Sequence, residues 1–120
     1  SVISIDLQSR VPIYEQLYKK ITELIIKGVL AENDQIPSVR ALAKELGVNP
    51  NTVAKAYQEL ERNNIIYSLS GRGSFVSKIN DGTIRNYILS DFDESVNGAL
   101  KAGITREELK RRIDEVKEND

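Results

Sequence analysis

Residues 36–62 read IPSVRALAKELGVNPNTVAKAYQELER, and this stretch decides the fold. Apolar residues recur at helical spacing on both sides of a three-residue break, Gly47-Val48-Asn49. Ser38 predicts the N-cap of one helix, because its hydroxyl can accept a free backbone N–H, and Gly47 predicts the end of that helix. Asn49 and Pro50 predict the N-cap and the first residue of the next helix, because proline is tolerated there. The stretch therefore predicts two helices joined by a short turn.

The flanking residues add one helix before this pair and a hairpin after it. Apolar residues at helical spacing predict a helix over residues 13–27, with Gly28 placed to end it in the left-handed conformation. Asn63-Asn64 can end the third helix in the same way. Two β-rich runs, 65–69 and 74–77, flank a glycine-bearing turn and predict a hairpin. This order predicts a mainly α fold with a small β-hairpin, a winged helix-turn-helix, over residues 1–78.

Residues 79–120 are predicted to form a separate two-helix tail. After a break at residues 80–82, a helix is predicted near 83–101, and a capping box at Thr105 and Glu108 predicts a last helix over about 105–118. Each of the two helices carries an apolar seam along one face. The seam consists of Ile84, Ile88, Phe92, Val96 and Leu100 in the first helix and of Leu109, Ile113 and Val116 in the second. Two such helices cannot bury these residues against each other alone, so the seams predict dimerisation. The alternative is that the tail folds back on residues 1–78.

The composition excludes several classes of function. The chain has 120 residues and carries 17 Lys and Arg against 18 Asp and Glu, with neither Cys nor His. Because thiols and imidazoles are missing, we expect no enzyme, no metal site and no cofactor. The carboxylates of Asp91, Asp93 and Glu94 do not share one helix face, so we interpret them as solvated surface. There is no apolar run of ~18 residues and no signal peptide, and a cytoplasmic protein without membrane contact is predicted.

Charge and polar side chains in the first part indicate nucleic acid as the partner. Residues 1–78 have ten Lys and Arg against eight Asp and Glu, a net +2, whereas residues 79–120 have seven against ten, a net −3. In a winged helix-turn-helix the later helix of the pair enters the major groove with its N-terminal residues leading. The candidate DNA contacts are Asn49, Asn51, Thr52 and Lys55 at that helix start, Ser38 and Arg40 at the preceding helix start, and Gly71, Arg72 and Gly73 in the wing.

The chemistry of these residues suits DNA, but each also has a purely structural interpretation. Asparagine can pair with adenine, lysine can reach guanine or a phosphate, and a wing-tip arginine can enter a narrow minor groove. Ser38 and Asn49, however, are helix caps with or without DNA, Gly71-Arg72-Gly73 can be only a hairpin turn, and Lys55 can be an ordinary surface lysine. DNA binding is favoured because Arg40, Asn51, Lys55 and Arg72 would lie on one side of a winged helix.

Four segments carry a family resemblance with gap-free spacing, namely 36–43 (IPSVRALA), 46–57 (LGVNPNTVAKAY), Leu60-Glu61 and 71–76 (GRGSFV). In them the chain resembles the GntR family of bacterial transcription regulators over about residues 10–77. The resemblance implies DNA contacts at Arg40, at residues Asn49, Pro50, Asn51 and Thr52, and at Gly71-Arg72-Gly73. Many members have an arginine where this chain has Ala54. The size of the tail is similar to that of the YtrA-type subfamily, in which it serves dimerisation.

These observations predict a homodimeric transcription regulator, most simply a repressor, that binds an inverted-repeat operator in double-stranded DNA. Nothing in the tail identifies a small-molecule effector. Two alternatives remain open. In the first, the chain is the DNA-binding part of a longer MocR-type regulator. In the second, it is a winged helix used for protein–protein contact. The second alternative requires an apolar recognition face, whereas this one is polar and cationic.

Overall fold

Three helices and three short strands build the first of two compact units, Ser1–Ile79, in the computed structural model, which describes residues 2–118. The helices are α1 (Ile13–Ile26), α2 (Val39–Leu46) and α3 (Pro50–Arg62), and the strands are β1 (Gln35–Ile36), β2 (Ile66–Leu69) and β3 (Gly73–Val76). The winged helix-turn-helix predicted from the sequence is therefore confirmed.

Helix α3 is the element around which this unit packs. It contacts α1, α2 and β2, and its apolar face lies in a single core. The largest fully buried side chains of that core are Leu17, Ile21, Leu42, Val53, Leu60, Ile66 and Val76. Because burial of apolar surface is the dominant favourable term in folding, this packing fixes α3 and the residues at its exposed start.

Backbone conformation ends the helices where the sequence indicated. Gly28 and Asn64 adopt φ angles of 78° and 60°, which confirms the left-handed residue predicted at each of these helix ends. Gly47, which was predicted only to end α2, is also left-handed, with a φ of 69°. At the end of α2 the N–H of Val48 donates to the carbonyl of Ala43 at 3.0 Å. This bond satisfies a carbonyl that the helix end leaves open, and it sets the direction in which the chain enters α3.

The wing is a three-stranded antiparallel sheet in the order β1-β3-β2 rather than a hairpin alone. Tyr67 pairs with Phe75 across the hairpin, and their rings stack with centroids 5.6 Å apart. Strand β1 pairs with the other edge of β3 and has only two residues, of which Ile36 is buried. Sequence analysis missed β1, because two residues are too few to show the alternation that marks a strand.

One buried polar group on α1 gives a test of the packing. Thr22 is 2% exposed, and its hydroxyl has no hydrogen-bond partner within residues 2–118. Thr22→Val keeps the shape and removes the unsatisfied hydroxyl, so we expect the free energy of unfolding to rise by about 1 kcal/mol. Urea denaturation measures this change. Thr22→Ser is the control, since it keeps the hydroxyl but loses a methyl group and should lower stability; a Val variant less stable than wild type contradicts the prediction.

The second unit, Asn80–Asp120, contains α4 (Asp81–Lys101) and α5 (Arg106–Glu115). Helix α4 begins earlier than predicted, because Asn80 Oδ1 accepts the N–H of Thr83 at 2.8 Å and caps the helix before Asp81. Thr105 Oγ1 accepts the N–H of Glu108 at 3.2 Å, so the predicted cap of α5 is confirmed.

Helix α5 is shorter than predicted, since it ends at Glu115 and Val116 is extended with a ψ of 124°. Neither α4 nor α5 contains a buried residue. Within residues 2–118 no helix combines the length and the hydropathy that crossing a membrane requires.

Candidate nucleic-acid interface

The start of α3 presents short polar side chains on a capped and fixed helix end. Asn49 Oδ1 accepts the N–H of Asn51 at 2.8 Å, which satisfies one of the free donors of the first turn. Asn49, Pro50 and Asn51 are exposed, and Thr52 is half-buried. The side chain of Asn51 makes no hydrogen bond to any residue in the described part of the chain. Its amide is therefore available for an external donor–acceptor pair.

Helix α2 begins with a cap and an exposed cation. Ser38 Oγ accepts the N–H of Ala41 at 3.0 Å, so the predicted cap is confirmed. Arg40 lies in the first turn of α2 and is exposed, and within residues 2–118 its guanidinium has no ion pair or hydrogen bond. A guanidinium with all its donors open suits a phosphate or the edge of a guanine.

A hydroxyl of α3 holds the chain just before α2. Tyr57 Oη donates to the carbonyl of Pro37 at 2.6 Å, and burial raises the pKa of Tyr57 well above its ordinary value. The phenol is protonated at physiological pH, and because of the raised pKa it keeps donating into the alkaline range. Because Pro37 directly precedes the Ser38 cap, this bond ties the start of α2 to the middle of α3.

Tyr57→Phe removes this donor, and we expect it to lower the free energy of unfolding by about 1 kcal/mol near neutral pH. The free energy of unfolding of the variant should also depend less on pH in the alkaline range. The raised pKa means that the folded state keeps the Tyr57 proton where the unfolded state, with a pKa near 10.0, has lost it, so wild-type stability falls as the pH rises above that value. Burial also raises the pKa of Tyr18, so urea denaturation at pH 7 to 11 is read as the difference between the two chains. Equal slopes would contradict the assignment.

The wing loop carries Arg72 on a glycine-shaped turn. The N–H of Arg72 donates to the carbonyl of Leu69 at 2.9 Å, and Gly71 has a φ of 75°, which is the third-residue conformation of a type II turn. Gly73 follows with a φ of 113°. Arg72 is exposed, and within residues 2–118 its guanidinium has no partner. Gly71 and Gly73 were predicted because they allow close approach to DNA. In the structure both have positive φ angles, which favour glycine at these positions.

Lys55 differs from the other candidate contacts, because its ammonium already has a partner. Nζ lies 3.8 Å from the centre of the Tyr14 ring on α1, a cation–π contact. Sequence analysis missed Tyr14 as a residue of this region. A pairing between α1 and α3 leaves no local pattern, so no signal in the sequence could have identified it.

The candidate contacts thus divide by what their side chains already do. Ser38 and Asn49 serve as caps, and Lys55 rests on Tyr14, whereas Arg40, Asn51 and Arg72 have open side chains. All of them belong to the first unit. Within the described residues, no group of three acidic side chains is arranged to hold a metal ion.

Three helices with a short turn between the last two, followed by a wing, define a protein of the winged-helix class, an architecture that many DNA-binding transcription regulators share. The family model for bacterial regulatory proteins of the gntR family matches residues 13–76. The chain belongs to the GntR family.

Individual relatives place the chain near one branch of that family. It is 40% identical over 119 residues to the HTH-type transcriptional repressor YtrA of Bacillus subtilis strain 168, over 96% of this chain and 92% of that protein. Its structure is similar to that of YtrA from Sulfolobus acidocaldarius, a GntR-family transcription factor, with a TM-score of 0.64, 39% identity and coverage of 81% and 99%. The DNA-binding domain of AraR in complex with operator ORE1 is similar at a TM-score of 0.54, 29% identity and coverage of 61% and 89%. The resemblance to the YtrA type is confirmed.

Proposed function

We propose that this protein is a homodimeric, cytoplasmic repressor that binds an inverted-repeat operator in double-stranded DNA. The observation that carries the proposal is the set of open, exposed side chains of Arg40, Asn51 and Arg72 on the two helix starts and the wing. A side chain with no partner inside the protein loses no internal bond when it binds DNA.

The three open side chains have complementary chemistry toward DNA. Asn51 can donate and accept at once, as pairing with adenine in the major groove requires. Arg40 can bind a phosphate or a guanine edge, and Arg72 suits the negative potential of a narrow minor groove. The similarity to the AraR domain, which is described bound to its operator, supports this use of the fold.

The remaining candidates support the interface in lesser roles. Ser38 and Asn49 hold the two helix starts in place, and Pro50 and Thr52 complete the first turn of α3. The free N–H groups of a helix start suit a phosphate. The ammonium of Lys55 is held over the ring of Tyr14, so we assign Lys55 to the position of α1 and α3 rather than to base recognition.

The tail supports dimerisation through its uncovered apolar side chains. Phe92 is 47% exposed, Ile88 and Ile113 are each 55% exposed, and Val116 is 73% exposed. One groove between α4 and α5 is lined by Phe92, Val96, Leu109, Ile113 and Val116. Val96 and Leu109 are half-buried, as are Ile84 and Leu100 on α4. A single copy leaves this surface in water, and we propose that a second copy of the same surface covers it about a two-fold axis.

Selection of binding sites from random double-stranded DNA tests the proposal. We expect the full chain to enrich an inverted repeat, because a two-fold dimer presents its two α3 helices in opposite orientations. A chain truncated after Ile79, which keeps the whole first unit and its core, should enrich one half-site with lower affinity. Failure to enrich any sequence, as expected for a protein–protein module, would overturn the proposed DNA recognition. Enrichment of a single or direct repeat by the full chain would overturn the proposed dimer.

A further inference from the structure

We propose that Gln35 is a positioning residue for the wing, whose side-chain amide holds the loop that carries Arg72. This inference rests on the proposed contact between Arg72 and DNA. Gln35 is neither at the wing tip nor on a helix start, and it reaches the loop from β1.

The contact joins two distant parts of the chain. Gln35 Nε2 donates to the carbonyl oxygen of Arg72 at 2.9 Å, across 37 residues of sequence. Gln35 is paired with Phe75 in the β1–β3 ladder, so its backbone is fixed while its side chain extends along the wing. The acceptor is the backbone of the very residue whose guanidinium is proposed to enter the minor groove. The bond therefore restrains the point from which that side chain starts.

Gly73 lies beside the same amide. A Cβ built on Gly73 would lie 2.8 Å from Gln35 Nε2, closer than side chains approach in real structures. Because this nitrogen is the far end of a flexible side chain and can shift, the φ of Gly73, 113°, is the stronger reason for glycine at this position. The loop and the amide thus lie in close contact at Gly73.

The same segment connects the wing to the helix-turn-helix. The N–H of Asn33 donates to the carbonyl of Val76 at 2.8 Å, and Asn33 Oδ1 accepts the hydroxyl proton of Tyr67 at 2.8 Å. Segment 33–36 therefore contacts both wing strands and leads directly to the Ser38 cap of α2. Because segment 33–36 connects the wing to α2, we expect the distance between Arg72 and Arg40 to be fixed already in the free protein. Such pre-organisation reduces the ordering that binding would otherwise require.

Loss of the Gln35 amide should loosen the loop without unfolding the wing. The pairing of β2 with β3 does not involve Gln35, so the wing should stay folded. Gln35→Met keeps the length of the side chain and removes its N–H donors. We expect operator affinity to fall by roughly 2- to 10-fold, the range that one neutral hydrogen bond provides.

A double-mutant cycle, measured by fluorescence anisotropy on the selected operator, separates positioning from a general structural role. In an Arg72→Ala background the loss caused by Gln35→Met should shrink to less than about 2-fold, because the side chain that Gln35 positions is gone. The matched control is Gln8→Met, which makes the same change at an exposed residue outside the wing and should give equal effects in both backgrounds. An equal loss from Gln35→Met in both backgrounds, or no loss in either, would overturn the inference.

Amide hydrogen exchange without DNA distinguishes failure of this inference from failure of the proposed function. We expect Gln35→Met to speed exchange at the Arg72 N–H while the core amides of α3 keep their protection. If Arg72→Ala alone leaves affinity unchanged, the proposed wing contact is wrong, and faster exchange at Arg72 still supports the restraint by Gln35. Unchanged exchange at Arg72 overturns that restraint whatever the DNA measurements give.

Discussion

Phe92→Asp is expected to convert the protein from a dimer to a monomer and to weaken operator binding by about 100-fold or more. Phe92 is the largest apolar side chain of the tail, and it lies in the groove between α4 and α5. In the proposed dimer the new carboxylate would be enclosed without a partner, which is far more costly than leaving it in water. A monomer engages one half-site, so it loses the gain that linking two sites provides. Analytical ultracentrifugation measures the mass, and fluorescence anisotropy measures the affinity.

Two further variants at the same helix sharpen this prediction. Phe92→Ala, which removes the ring but adds no charge, should lower dimer stability by roughly 3–5 kcal/mol if the ring is fully covered. Ser90→Asp is the matched control, since it adds the same charge to an exposed position on the opposite side of α4. It should leave the dimer intact. A wild-type chain that sediments as a monomer at tens of micromolar, or a Phe92→Asp chain that remains a dimer, would contradict the proposed role of the tail.

Much of the fold could be predicted because its decisive signals are local. Ser38, Gly47 and Asn49 mark helix ends through contacts within a few residues, and each lies at the predicted helix end in the structure. The end of α5 could not be predicted in this way. No glycine or proline follows Glu115, and Lys117 and Glu118 continue a helix-compatible composition, so the sequence contains no stop signal there.

The candidate site could be predicted less completely than the fold. The open side chains of Arg40 and Arg72 were identified because their position in a winged helix follows from the order of the elements. The partners that hold this region are tertiary: Tyr14 with Lys55, Tyr57 with Pro37, and Gln35 with Arg72. Such pairs join residues that are 20 or more positions apart and follow no periodic pattern, so they become visible only when the chain is folded.

Arg40→Ala and Arg72→Ala are each expected to weaken operator binding by about 5- to 150-fold, which corresponds to about 1–3 kcal/mol. Both guanidinium groups are exposed and have no partner within residues 2–118, so their removal leaves the internal contacts of the protein unchanged. Circular dichroism and urea denaturation should therefore match wild type while the affinity falls. Titration by fluorescence anisotropy at several salt concentrations measures both the loss and its origin.

The salt dependence shows what each arginine binds. Loss of one phosphate contact should reduce the slope of log affinity against log salt by about 0.9, whereas loss of a base contact should relax the preference at one operator position. Arg62→Ala is the matched control, because Arg62 lies at the last position of α3 and is already paired with Glu59. It should change affinity by less than about 2-fold, as expected for a cation outside the contact region. If neither Arg40→Ala nor Arg72→Ala changes the operator affinity, neither the start of α2 nor the wing contacts DNA. The proposal that this surface recognises the operator would then be wrong.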